Sequence, residues 1–260
     1  LLRQESVPAT FEDLSTTFHV TRDGIDIGEV RGQLGGGFVS GYGTIDSEGW
    51  FPRRYDLKMN VDNAQIQWID SLPPAIGDAA LTFDGPVDQL LLAGDVTLHD
   101  MSFSDRIEWE DWVVEYREAM LVDTATDFSD DPLFGFSIDI TGDQTIRLRN
   151  NVAEGIASAN LRIIGDTVRP GLAGLVQVEE GIAFLQDRQF RIDRGLIQFN
   201  DPWTWDPDLD FVLKTDIESR EQRYRVDYDI YGPFSDWSSR TRSDPGPPRG
   251  PGHDGFGKDH

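Results

Sequence analysis

The 260-residue chain contains no cysteine, which removes disulfides, thiolate metal sites and cysteine nucleophiles together. Histidine is scarce: His19 and His99 stand in the body, and His253 and His260 fall at the very end. A His-rich metal centre therefore has no ligands to draw on. Lysine occurs only as Lys58, Lys214 and Lys258, and the 23 basic residues face 47 acidic ones, for a net charge of −24 and a pI near 4.3. That balance lacks the basic footprint of a nucleic-acid binder and opposes electrostatic docking on an anionic bilayer. No apolar run approaches the ~20 residues of a membrane-spanning helix; runs such as Leu90-Leu91-Leu92-Ala93 are strand-sized. The opening Leu1-Leu2-Arg3 has neither an initiating Met nor a basic-then-apolar leader, so any targeting signal is expected upstream.

What is present is period-two alternation. Tyr224, Val226, Tyr228 and Ile230 alternate with Arg223, Arg225, Asp227 and Asp229. Leu209, Phe211, Leu213 and Ile217 oppose Asp208, Asp210, Lys214 and Asp216; Tyr55, Leu57, Met59 and Val61 oppose Asp56, Lys58 and Asn60. Phe134, Phe136, Ile138 and Ile140 follow the same rule, as do Leu161 and Ile163. Such runs predict strands with one apolar and one wet face, which antiparallel sheets permit. Turn signals (Arg22-Asp23-Gly24, Gly35-Gly36-Gly37, Gly142-Asp143, Glu180-Gly181, Arg194-Gly195) separate them at all-β spacing. One stretch departs: Trp109, Trp112, Val113, Tyr116 and Met120 recur at three- and four-residue steps and predict a short amphipathic helix over 106–120. The acidic segment 123–132 reads as a loop. Residues 244–260, with four prolines, five glycines and no aliphatic side chain, read as a disordered tail after one continuous β unit over 1–243.

Alternation alone leaves two architectures open. Two sheets can close their apolar faces on each other, or one sheet can curl so that its apolar face lines a trough. About 14 strands at ~4.8 Å spacing would extend ~65 Å, and single open sheets of that size usually curl or split.

Enzymatic motifs are weak. There is no G-x-S-x-G elbow, and GYGTID at 41–46 lacks the third glycine and following helix of a dinucleotide loop. Asp206, Asp208 and Asp210 begin like a calcium loop, but Phe211 and Ile217 occupy the positions that need Gly and Glu. Asp127, Asp130 and Asp131 form only a loop cluster, and with 47 acids no carboxylate pair stands out. Of the tryptophans, Trp50, Trp68, Trp203 and Trp205 lie near strand ends and are expected to cap a core or trough.

An ordered series of residues carries a resemblance. Pro170 and Gly174, Gly181 and Phe184, Phe190 in RQFRI, Gly195 and Phe199 in RGLIQF, Asp206-Pro207-Asp208-Leu209, Tyr224, Gly232 and Ser243-Asp244-Pro245 follow one another in the order found in the TamB C-terminal domain family, which the chain resembles. Gly32, Gly36-Gly37 and Gly41 in RGQLGGGFVSGYG, with Asn150-Asn151 and Gly165, are similar to AsmA-like repeats of the same superfamily, so the likeness covers 15–245. The resemblance implies a long curled β-sheet with an apolar concave face and no catalysis or cofactor. It further implies a periplasmic bridge anchored upstream in the inner membrane, passing phospholipid toward the outer membrane. The implied partner is an Omp85-class barrel of the TamA or BamA type. The alternative role is a scaffold for outer-membrane barrel and autotransporter assembly. The expected trough lining is Leu57, Met59, Val61, Phe136, Ile138, Leu161, Ile163, Phe184, Phe190, Ile192, Leu209, Phe211, Leu213, Tyr224, Val226, Tyr228 and Ile230. The terminal GPPRGPGHDGFGKDH departs from the leucine-rich, aromatic-ended close of such chains and is expected to be an altered end.

Overall fold

The computed structural model describes residues 11–67, 73–104, 106, 131–185, 188–218 and 223–245. Its strands are Phe11–Ser15 (β1), Phe18–Val20 (β2), Gly24–Leu34 (β3), Gly37–Glu48 (β4), Phe51–Ile66 (β5), Ala75–Pro86 (β6), Leu91–Phe103 (β7), Gly135–Arg149 (β8), Ala153–Asp166 (β9), Pro170–Leu185 (β10), Arg188–Phe199 (β11), Asp208–Glu218 (β12), Arg223–Pro233 (β13) and Ser238–Asp244 (β14). A single 3₁₀ turn, Phe234–Asp236, precedes β14, and no α-helix occurs among the described residues. The predicted helix lies, beyond Arg106, outside the described residues, as does the Gly/Pro-rich tail from 246 onward.

All strands join one 14-stranded sheet in chain order, with β1 and β2 both laid along β3. The sheet curls and does not close. At about 4.8 Å per step it extends roughly 58 Å from β1 to β14. Every neighbouring pair is antiparallel except β7 and β8, which run parallel from Leu91↔Gly135 to Phe103↔Leu148. Residues 104–134 connect that pair, ample for the dozen or more a parallel crossover needs.

Register does what the alternation promised. Val39, Val61, Ala79, Val96, Ile140 and Leu161 stand opposite one another on consecutive strands. A second row runs Leu57–Phe83–Leu92–Phe136. A third runs Ala157–Val178–Gly195–Phe211–Ile230. Because side-chain direction has period two, one slipped residue in any pair would turn a whole strand's apolar set into water.

Two glycine environments explain how the strands turn and bend. Gly35 and Gly36 link β3 to β4 with φ of +54° and +79°, the paired positive values of a tight hairpin turn. Gly174 sits inside β10 with φ +121°, and a Cβ there would lie 2.2 Å from the Asn160 carbonyl oxygen. Only glycine allows that close approach of neighbouring backbones. Gly174→Val is therefore expected to lower the thermal midpoint by several degrees or abolish folding, since a strained backbone costs about 1–3 kcal/mol before the clash. Gly36→Asn, in open space and in a conformation Asn tolerates, is expected to shift it little. Thermal denaturation followed by circular dichroism separates the two outcomes.

Candidate functional site: the apolar face of the sheet

The apolar rows form one continuous face from β3 to β13. Two clusters anchor it. The larger joins Ile146, Ala157, Ala159, Val178, Phe190, Ile192 and Leu213, with Met101, Phe103, Phe211, Tyr228 and Ile230 packed alongside. The smaller joins Leu34, Val39, Val61 and Ala64. Leu213 is only 2% exposed, and no charged or polar residue is buried among those described. Between the clusters most of the face is half-covered: Leu57, Met59, Phe136, Leu161 and Ile163 are all intermediate in exposure. Side chains on this face converge. Phe190 and Tyr228 project from strands two steps apart, yet their ring centroids are 6.2 Å apart, less than the ~9.6 Å between the backbones. Phe83 and Phe134, on either side of β7, meet edge-on at 5.3 Å, and Phe134 meets Phe136 at 5.3 Å. Convergence of this kind belongs to the inside of a curl.

Sixteen of the residues expected to line the trough share this face. Phe184 does not: it pairs with Gln189 while Ala183 pairs with the buried Phe190, which sets Phe184 on the opposite side. The β-bulge between Val178 and Glu180 shifts the parity of β10, and a bulge leaves no mark in an alternation pattern. Sequence reasoning also passed over Leu81 and Phe83 of β6, Leu92 and Val96 of β7, and Ile146 of β8, all on the apolar face. The Ala79–Leu81–Phe83 alternation was a usable signal; the mixed run of β7 was not.

The other face is acidic and cross-linked strand to strand. Arg54 pairs with Asp84, Arg147 with Asp100, Arg162 with Asp139, Arg194 with Asp210, Lys214 with Asp193, and Arg242 with Asp229. Among the described residues, Asp78, Asp139 and Asp193 are held below the usual carboxylate range. For Asp78 the Asn63 backbone N–H, donating at 2.7 Å, is the main cause, with His99 Nε2 at 2.7 Å second. For Asp139 it is the Arg162 guanidinium, itself pushed up in return; for Asp193 it is the Lys214 ammonium.

The remaining candidates resolve into structural contacts. Asp206 accepts the Ser235 N–H at 2.9 Å and its hydroxyl at 2.6 Å, Asp208 accepts from Asn200, and Asp210 holds Arg194. Residues 41–46 lie inside β4, paired on both sides. Trp203 covers Gly165 and Gly171, where a Cβ would come within 2.9 and 3.0 Å of its ring, and Arg169 lies 4.8 Å over it. Trp205 donates its indole N–H to the Pro170 carbonyl. These two pack at a strand end, whereas Trp50 is 97% exposed. Trp68 and Asp127 and Asp130 lie outside the described residues.

A single curled layer, apolar on its inner side and acidic on its outer side, defines an open β-sheet domain whose floor carries no second layer among the described residues. The chain belongs to the TamB C-terminal domain family, whose pattern matches residues 28–249. Membership assigns it to envelope and outer-membrane assembly, in a non-enzymatic family associated with that machinery. No curated protein matches the chain.

Two predictions follow from the two faces. Leu213→Ala is expected to cost about 2–5 kcal/mol in urea denaturation, as a buried leucine truncation does, while Ile156→Ala, exposed on the wet face, costs under about 0.5 kcal/mol. The lowered carboxyls set a pH window. A depressed folded-state pKa contributes stability that is complete above the unfolded value of ~3.9 and is lost as pH falls through the folded value. Relief of the −24 self-repulsion works the other way as pH approaches the pI. The thermal midpoint is thus expected to hold or rise from pH 7 to about 4.5 and fall below about 4, with the fall shallower in Asp139→Asn; a pH series of melts checks both.

Proposed function

We propose that the apolar face shelters phospholipid acyl chains, as one segment of a periplasmic bridge carrying lipid from the inner to the outer membrane. The observation that carries this reading is the in-register apolar floor from β3 to β13, half-exposed and with no second layer over it among the described residues. Each methylene laid on such a floor contributes about 0.8 kcal/mol, so a floor of this length is a strong driving force for long aliphatic chains. The acidic outer face keeps the segment in water while the floor is loaded. In this role Leu57, Met59, Val61, Phe136, Ile138, Leu161, Ile163, Phe190, Ile192, Leu209, Phe211, Leu213, Tyr224, Val226, Tyr228 and Ile230 are floor residues. An inner-membrane anchor upstream and an Omp85-class barrel partner complete the assembly.

The open sheet edges favour a second reading. β1 and β14 each have a side with no strand partner among the described residues, and an unpaired edge can template an incoming strand. On this reading the domain holds nascent outer-membrane β-strands for barrel and autotransporter assembly.

Lipid extraction and mass spectrometry of the detergent-free protein from a bacterial periplasm tests the choice. Phospholipid near or above one per chain is expected, falling severalfold in Phe211→Asp, which places a charge beside Gly195 on the floor; Asp210→Asn on the wet face should change nothing. A folded protein without lipid, crosslinking instead to unfolded barrel substrates, would favour the edge reading.

A further inference from the structure

The register breaks of the sheet are aligned. The shifts between Val61/Ala64, Ile76/Gly77, Thr97/Met101, Gly142/Ile146, Val178/Glu180 and Ile192/Arg194 fall opposite one another on successive strands. They make one line that crosses β5 to β12; the shifts at Ile27/Val30 and Asp46/Ser47 stand off it. A bulge bends its own strand, so a row of aligned bulges creases the layer.

The two sides of the crease differ in chemistry. Its inner side is the sealed part of the floor: Val61, Ala64, Ala157, Val178, Ile192 and Leu213 border the line and none is more than 9% exposed. Away from it the floor opens on both sides, with Leu57, Phe83 and Phe136 half-buried toward one rim and Met101, Phe103 and Leu148 toward the other. The line is therefore the bottom of the trough, and two walls rise from it. On the outer side, Asn63 and Gln144 take left-handed backbone conformations, φ +53° and +54°. Each donates its backbone N–H to a side chain of the next strand, Asn63 to Asp78 Oδ1 at 2.7 Å and Gln144 to Ser158 Oγ at 2.9 Å. His99 Nε2 lies 2.7 Å from Asp78, and Lys214 donates to Asp193 at 2.7 Å.

Alignment decides how such a sheet can move. In a regular ladder each strand's dihedrals are tied to both neighbours, so no strand bends without losing bonds. A bulged residue is free of its ladder. Where the free residues of successive strands lie on one line, the angle between the walls can change there while the ladders of both walls stay whole. A few residues that absorb a dihedral change at the end of rigid elements are what a hinge requires. No second layer joins the walls among the described residues. The angle then rests on the packing at the bottom and on the outer polar contacts, which are exposed and individually weak.

We propose that the bulge line is a hinge: the two walls swing about it, so that the trough opens and narrows along its length, and the contacts of Asp78 and Ser158 restrain the swing. The inference rests on the register of the sheet and holds whatever the trough carries. From Ser158 to the end of β9 at Asp166 the wall is about 26 Å deep, so a swing of ~15° carries its rim about 7 Å. Pulsed electron resonance between nitroxide pairs reads this directly, because the chain has no cysteine of its own. Arg149→Cys/Val168→Cys labels opposite walls; Val87→Cys/Val168→Cys labels one rim. The cross-wall pair is expected to show a distance spread of about 7 Å and the one-rim pair a clearly narrower one. Asp78→Ala/Ser158→Ala is expected to broaden the cross-wall spread about twofold and leave the one-rim spread alone. Asp139→Asn, which breaks the ion pair to Arg162 within one wall, should change neither. If circular dichroism shows the double variant unfolded, Ser158→Ala takes its place with a smaller broadening. A cross-wall spread no wider than the one-rim spread, no broadening in the folded crease variants, or equal broadening by Asp139→Asn would each overturn the proposal.

Discussion

A β-sheet with one apolar face has to cover that face, and here the sheet supplies its own cover by curling. No second layer lies over the floor among the described residues, so burial is uneven. Leu213 and Val61 are nearly sealed by their neighbours, while Leu57 and Phe136 are half-open. Everything else follows from keeping the floor continuous. The registers align apolar residues strand after strand. Gly174 and Gly195 appear where a neighbouring backbone or the Phe211 ring needs the space of a Cβ. The bulges at Val178/Glu180 and Ile192/Arg194 shift parity within their strands, so that Ala183 and Ile197 face inward while Phe184 and Leu196 face out.

The outer face answers a different constraint. A large acid excess on one side of a thin layer would push the strands apart. Arginines and Lys214 are placed across from aspartates on adjacent strands, so that repulsion becomes short-range pairing between neighbours. Each exposed pair is individually weak in water and salt. Asp139 and Arg162 stand directly across from each other, and such an opposite pair favours the aligned strand over the slipped one. Net charge of one sign opposes self-association and limits which surfaces a molecule can approach.

Much of this was legible in the residues. The runs at 55–61 and 223–230 alternate cleanly, and that at 208–217 does so apart from Val212; all three are strands with the expected face inward. The glycine pair at 35–36 marks its hairpin without help from tertiary structure. Legibility failed where parity changes inside a strand. Phe184 alternates correctly with its own neighbours and still faces the wrong way, because an upstream bulge consumes one residue of backbone. It failed again at β7, whose parallel partner is set by a long crossover that no local pattern encodes.

Local chemistry, then, determined that the chain forms all-β structure with one greasy and one acidic face, because side-chain direction in a strand depends only on position parity. It also determined that cysteine chemistry has no residue to draw on in these 260, because composition bounds what a site can contain. Whether the greasy faces would close on each other or stay open was decided only in three dimensions. Alternation is identical in a sandwich and in a curled single sheet; what separates them is the order of strands and the accumulated bend. That bend comes from bulges, glycine approaches and one parallel step acting across the whole sheet, so it is a property of the assembled layer and of no single segment.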